Sequence, residues 1–214
     1  KGIPALAEEI VLARNLFLLE YTGGKMHVPT ISTAKSVAMI KEAKTKGLNV
    51  TCSVAVHNLV LTDDVLVDFD TRYKVSPPIR DILHQKALIA GVLDHTIDFI
   101  TSDHCAIDIE HKKMEFDMAK DGTIGLETAF GALLNILPLN LVIEKLTAAK
   151  YIFLNKINTL KIGQKADITL FNPDSEFVFS KQDILSKSKN SAFLNQSLKG
   201  AVYGVFHNNQ LLIK

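Results

Sequence analysis

Cysteine is scarce in this sequence. Cys52 and Cys105 are the only two among 214 residues, they sit in apolar, strand-like surroundings, and they form no CxxC pair. That excludes a disulfide scaffold and suits reduced, buried thiols in a cytoplasmic protein, small core residues rather than metal ligands. A charge excess of one sign is also missing. The 24 basic and 23 acidic residues are mixed along the chain, leaving a net charge of +1 and no footprint for nucleic acid or an anionic membrane. No apolar run reaches membrane-spanning length, the opening KGIPALAEEI has no signal-peptide pattern, and there are no repeats or low-complexity tracts. What remains is an ordinary globular composition, 47% hydrophobic and 22% charged, able to bury a core in one large domain or slightly more. Lys1 to Pro4 enters a helix with almost no lead-in and no initiator Met, and reads as cut from a longer chain.

The stretch with the most chemistry in it is DFITSDHCAIDIE, Asp98 to Glu110. An apolar run ends in Thr101, Ser102, Asp103 and His104, the pattern of a buried strand that delivers a carboxylate and an imidazole to its C-terminal end. In parallel α/β proteins that end is where chemistry collects, because loops vary there while strands hold them. Asp103 could act as a general base or metal ligand, with His104 orienting it or binding alone. Equally, a strand-end Asp can simply cap the next turn.

The rest of the chain repeats the strand-then-helix pattern. A helix follows Pro4 and stops at Gly23-Gly24, with an apolar face wide enough to be covered on more than one side. Lys25 to Val28 is a short strand, Ser32 or Thr33 caps a helix over Ala34 to Lys46, and Asn49 to Val56 is a β-branched strand ending at His57-Asn58. A short helix opens at Thr62, Arg72 to Val75 reads as a further strand closed by Ser76-Pro77-Pro78, and Asp81 to Leu93 is helical. One long amphipathic helix is expected from Gly125 to Ile136 and a second over Leu139 to Phe153. The last third changes character: a turn and strand over Leu160 to Phe171, a strand at Phe177 to Phe179, a polar and therefore solvated loop over Ser180 to Gln196, and a hairpin pairing Gly204 to Phe206 with Leu211 to Ile213. The fold class is α/β, consecutive β/α units of a parallel barrel or open sheet with a small β module attached.

The order HVPTISTAKSV, VTCSVAVHNLVLTDD, YKVSPPIR, TIDFITSDH, IGLETAFG and LKIGQKADITLFNPD resembles the dihydroorotases of the amidohydrolase superfamily along essentially the whole chain. The resemblance implies a TIM-type (β/α)8 barrel with one or two zinc ions at its C-terminal mouth and a small β-sandwich built from both chain ends. On that basis residues 1–157 are the second half of the barrel and residues 158–214 part of the sandwich. The implied reaction is the reversible cyclisation of N-carbamoyl aspartate to dihydroorotate in pyrimidine synthesis. In that family the first strand supplies a His-x-His pair, the fourth a bridging acidic residue or carboxylated Lys, the fifth and sixth one His each, and the eighth an Asp. Only the last four strands are expected here. The seven histidines, His27, His57, His84, His95, His104, His111 and His207, include no pair one residue apart.

Carried over by position, the resemblance implies the sixth-strand ligand at His57 and the eighth-strand ligand and proton shuttle at Asp103. The fifth-strand His falls on Thr30, and a hydroxyl is a poor zinc ligand beside imidazole. His27, in the same motif, is not at the ligand position. The substrate-contacting Asn of N-P-P-L-R falls on Ser76, the substrate His of D-H-A-P-H on Ile107, and the P-F-G turn on Lys120-Asp121-Gly122. Two readings follow. The first is a catalytically degenerate dihydroorotase-like protein, its zinc weak or absent, that serves as an assembly partner of aspartate transcarbamoylase and is itself a homo-oligomer. The second is a working zinc-dependent dihydroorotase using Asp103, His57 and residues outside this stretch.

Overall fold

Helix α1 (Ala5–Thr22) starts after Pro4 and stops where Gly23, at φ 65°, turns left-handed and donates its N–H to the Leu19 carbonyl. The structure, a computed structural model, describes residues 2–155 and 161–213. Strand β1 (Met26–Val28) follows, then helix α2 (Ala34–Thr45), capped by the Thr33 hydroxyl, which accepts the Ser36 N–H. Strand β2 (Val50–Ala55) runs directly into the one-turn helix α3 (Val56–Val60). Helix α4 (Ile82–Leu93) is capped by Asp81, whose carboxylate accepts from the Leu83 and His84 amides, and leads to strand β3 (Phe99–Thr101). Helices α5 (Ala129–Leu134) and α6 (Leu139–Leu154) complete this part.

The three strands form one parallel sheet in the order β1-β2-β3, with Met26 opposite Val50 and Ser53 opposite Phe99. Side chains alternate across it. Val50, Cys52, Val54 and Ile100 join Val37, Ile40, Leu88 and Val92 in the buried apolar core, while His27, Thr51, Ser53 and Phe99 share the other face. A second, antiparallel sheet contains β4 (Ile168–Val178), β5 (Ser197–His207) and β6 (Gln210–Ile213) in that order. Asn208 and Asn209, both at positive φ, make the two-residue turn between β5 and β6. The expected boundary between residues 157 and 158 lies outside the described residues.

Several expectations are corrected. Arg72 to Val75 is not a strand: Thr71–Tyr73 is a 3-10 turn, because the Asp70 carboxylate takes the Arg72 N–H and its guanidinium, and β2 pairs directly with β3. Three parallel strands stand where four were expected, with one further parallel bridge between His104 and Thr123. The long helix from Gly125 shrinks to six residues, since the Gly125 and Leu126 amides are taken by the His104 ring. Phe177 to Phe179 is no separate strand: β4 runs unbroken to Val178, with register shifts absorbing Pro173. The segment Ser180 to Gln196 is no solvated loop. Ile184, Ala192 and Phe193 enter the core, the Asn190 amide donates to the Gly122 carbonyl, and the Ala192 N–H to the Thr123 hydroxyl. Cys105 is exposed, while Cys52 is buried and burial pushes its thiol up to about 12. Helix α1 is covered on one side only: Leu12 and Leu19 are buried, while Leu6, Ile10, Phe17 and Tyr21 are exposed.

One contact fixes α1 to the sheet's carboxyl end. The Glu8 carboxylate accepts from the Ser32 and Thr33 amides and from the Ser32 and Ser36 hydroxyls, so a side chain of one helix satisfies the free donors at the start of the next.

Candidate functional site

The C-terminal ends of the parallel strands bring Thr30, His57 and Asp103 to one end of the sheet. Thr30, just past β1, has φ 44°, its N–H on the Ser53 hydroxyl at 3.1 Å and the next amide on the Ser53 carbonyl. A β-branched residue in the left-handed region is strained by about 1–2 kcal/mol. Asp103, two residues past β3, has φ 47°, a conformation that Asp tolerates better, and its N–H is held by the Thr101 hydroxyl at 3.1 Å. These two non-glycine residues in the left-handed region stand at the ends of β1 and β3, the strands on either side of β2, and such backbone strain is a feature that clusters at functional sites.

His57 sits in α3, placed there because β2 passes into the helix without a loop. It is fully buried, and neither ring nitrogen has a hydrogen-bond partner among the described residues. Its Nε2 lies 3.9 Å from Asp103 Oδ2, too far for a hydrogen bond. Burial pushes the imidazole down to about 4, so it is neutral at physiological pH with an unused lone pair. Burial also pushes the Asp103 carboxyl up. Buried polar atoms are almost always satisfied, so two orphaned nitrogens on one side chain are the site's most anomalous feature.

A neutral imidazole beside a carboxylate is the beginning of a zinc site, but only the beginning. Catalytic zinc takes three protein donors and structural zinc four. Among the described residues no three His, Cys, Asp or Glu side chains converge. The described residues therefore do not by themselves fit a zinc centre.

The other residues singled out in the sequence divide. His104 does not face the pair: its Nδ1 accepts from the Gly125 and Leu126 amides at 3.3 Å each, a strand-end histidine that anchors the next segment. His27 stacks on Phe99 with ring centroids 5.1 Å apart, bonds the Thr51 hydroxyl through Nδ1, and lies 3.4 Å through Nε2 from the Ser53 hydroxyl that holds the Thr30 amide. Asn58 donates to the Pro78 carbonyl, which ties α3 to the Ser76-Pro77-Pro78 turn. Ser76 is exposed there. Ile107 packs against Gly122, where a Cβ would meet its Cγ1 at 2.9 Å, and its carbonyl accepts from the Ser188 hydroxyl. Two residues escaped the sequence reading: Glu8, described above, and Lys112. The latter is only 3% exposed, and a lysine inside the run HKK in a polar loop carries no signal of burial.

No family model matches the chain. It is 40% identical over 222 residues to a dihydroorotase of Acetivibrio thermocellus, the alignment taking 100% of this chain and 52% of the relative. It is 41% identical over 208 residues to a dihydroorotase of Thermoanaerobacter sp., taking 94% and 48%. Among solved structures, the L-hydantoinase (dihydropyrimidinase) of Arthrobacter aurescens matches with a TM-score of 0.90 at 24% identity, covering 99% of this chain and 49% of that one. The inactive dihydroorotase-like domain of a Chaetomium thermophilum CAD-like multifunctional protein matches with a TM-score of 0.69 at 23% identity, covering 94% and 54%. These structural likenesses concern the fold. The chain spans about half the length of the curated relatives it matches.

Proposed function

Because this chain belongs to the dihydroorotase and cyclic amidohydrolase family and matches about half of its full-length members, we propose that it is the C-terminal barrel half and part of the β-sandwich of a degenerate dihydroorotase. In this reading the whole protein serves pyrimidine biosynthesis in the cytoplasm as an assembly partner of aspartate transcarbamoylase, and not as a hydrolase. One observation carries the proposal: a fully buried His57 imidazole with both nitrogens unpartnered, facing Asp103, while the position where the family pattern expects a second imidazole is Thr30. Hydrolysis of an amide with metal help needs a water held against the carbonyl at fixed geometry. A threonine hydroxyl in a left-handed turn, its amide committed to Ser53, is a weak substitute for a ring nitrogen. The exposed Ser76 and the apolar Ile107 stand where the family pattern expects substrate-binding Asn and His. The assembly role rests on family resemblance.

A second reading is favoured by the same pair. His57 and Asp103 are both retained, and a buried, neutral, unpartnered imidazole is the form that a metal binds. An active dihydroorotase would then draw its remaining donors from residues outside these 214. The two separate in one experiment on the full-length protein: metal analysis, turnover of dihydroorotate and N-carbamoyl aspartate, and sedimentation with aspartate transcarbamoylase. The degenerate reading expects less than stoichiometric zinc, no turnover and a co-sedimenting complex. Stoichiometric zinc with turnover overturns it in favour of the enzyme.

A further inference from the structure

The loop after β3 and the turn after α3 are joined by one buried cation. Lys112 lies in the loop that carries Ile107, and its Nζ donates to the Thr71 and Lys74 carbonyls at 3.0 Å each. The joint is reciprocal, since the Thr71 hydroxyl donates back to the Lys112 carbonyl at 2.6 Å. Around it the Gly122 N–H also bonds the Lys74 carbonyl, at 2.9 Å, and the Lys74 ammonium donates to the Asp117 carbonyl at 2.8 Å. Lys74 lies two residues before Ser76 and Thr71 five, and the other end of the Lys112 loop is Asp103 itself. Both sides of the mouth thus meet at one ammonium.

A lysine is chemically apt for this. It only donates, through three hydrogens, so from its own loop it can serve two main-chain carbonyls of the 71–74 turn at once. None of its hydrogen bonds goes to a carboxylate. The charged and titratable groups around it are Asp121, Lys74, Cys105 and Asp70; burial, with Lys74 acting in the same direction, outweighs Asp121, Cys105 and Asp70 and pushes the ammonium down to about 8. A desolvated cation held by carbonyls does not stabilise the fold as an apolar residue in the same space would; what it supplies is geometry, two bonds to the 71–74 turn.

We propose that Lys112 is a positioning residue, which locks the Ile107 loop to the turn preceding Ser76 and so fixes the distance across the mouth. The proposal relies on the proposed function only for where the mouth lies. It does not depend on whether a metal or a substrate ever binds there.

Amide hydrogen exchange on the full-length protein tests it, with Lys112→Met removing the cation and Thr71→Val removing only the reciprocal bond. In K112M, peptides from 69–79 and from 104–122 are expected to exchange roughly tenfold faster or more, together, while those of β2 and β3 keep their protection. T71V is expected to loosen the same two segments by a smaller factor, and it serves alone if K112M does not fold. Loosening confined to 104–122, no change in either variant, or uniform loosening that includes β2 and β3 would overturn the proposal. Exchange is read without activity or metal. Coupled loosening in a zinc-loaded, active protein would therefore end the degenerate reading and leave the role of Lys112 standing.

Discussion

At the scale of single residues, the anomaly is a buried histidine, His57, with no hydrogen-bond partner among the described residues. Folding lowers the His57 pKa from 6.5 to about 4, so between those values the unfolded chain holds a proton that the folded one refuses. Stability is therefore full above pH 6.5 and falls as the pH drops to about 4, by on the order of 3 kcal/mol. Denaturant unfolding of the wild type and His57→Leu at pH 7.5 and 4.5 checks this. The leucine variant is expected to lack that portion of the acid loss and to equal or exceed the wild type at pH 7.5, because it removes two unsatisfied nitrogens. A variant weaker by more than about 1 kcal/mol at pH 7.5 would mean that the imidazole has a partner. Lys112 gives a second window of the same sign at alkaline pH. Its pKa falls from 10.5 to about 8, so the unfolded chain binds the extra proton between these values and stability rises with pH across them, by roughly 3 kcal/mol. K112M is expected to flatten that rise in melts at pH 7.5 and 10.

Among the elements, the contact that registers the first helix against the sheet is Glu8. Four donors on Ser32, Thr33 and Ser36 converge on its carboxylate, at the start of α2. Glu8→Ala is expected to lower unfolding free energy by about 2–3 kcal/mol, since it strands charge-assisted bonds and not just a surface charge. Thr33→Ala, which removes the cap and the hydroxyl bond to Ser36 but leaves the Glu8 carboxylate in place, is expected to lose about 1 kcal/mol, and urea titrations of both distinguish the two effects.

Elements were also where the sequence spoke most and least clearly. Helices α2, α4 and α6 carry caps or breakers next to periodic apolar residues, and β2 is a β-branched run, so local signals coincide with the observed bounds. The misreadings share a cause, a bond to something distant or a local side-chain bond that a pattern does not reveal. Arg72 reads as strand, yet Asp70 takes its amide, and the polar 180–196 segment reads as solvated, yet its own Ala192 and Phe193 are buried. His57 and Asp103 could be named from family resemblance, but the orphaned nitrogens depend on which side chains surround α3, a tertiary fact. Lys112 and Glu8 were invisible for the same reason: nothing in a loop lysine or a first-turn glutamate tells which carbonyls or amides it will meet.

On the scale of the molecule, a parallel sheet under helices and an antiparallel sheet meet through α5 and β5. Gly131 is needed there because a Cβ would stand 2.7 Å from the Lys199 carbonyl oxygen. Gly131→Ala is thus expected to destabilise the whole chain, by about 1–3 kcal/mol in thermal or urea melts. In the proposed degenerate reading, the sheet's carboxyl end keeps the backbone of a working site, with Thr30 and Asp103 left-handed and His57 buried, and lacks one imidazole at Thr30. Histidine is found in left-handed backbone far more readily than a β-branched residue, so Thr30→His should fold without added strain and restore a ring nitrogen beside the retained pair. The most direct measurement is the zinc affinity of the full-length protein and of its T30H variant, by competition with a chelator at fixed pH. Binding at least about tenfold tighter in T30H is the expected result. Equal affinity in the two proteins, or tight stoichiometric binding already present with threonine in place, would contradict a site broken at that position.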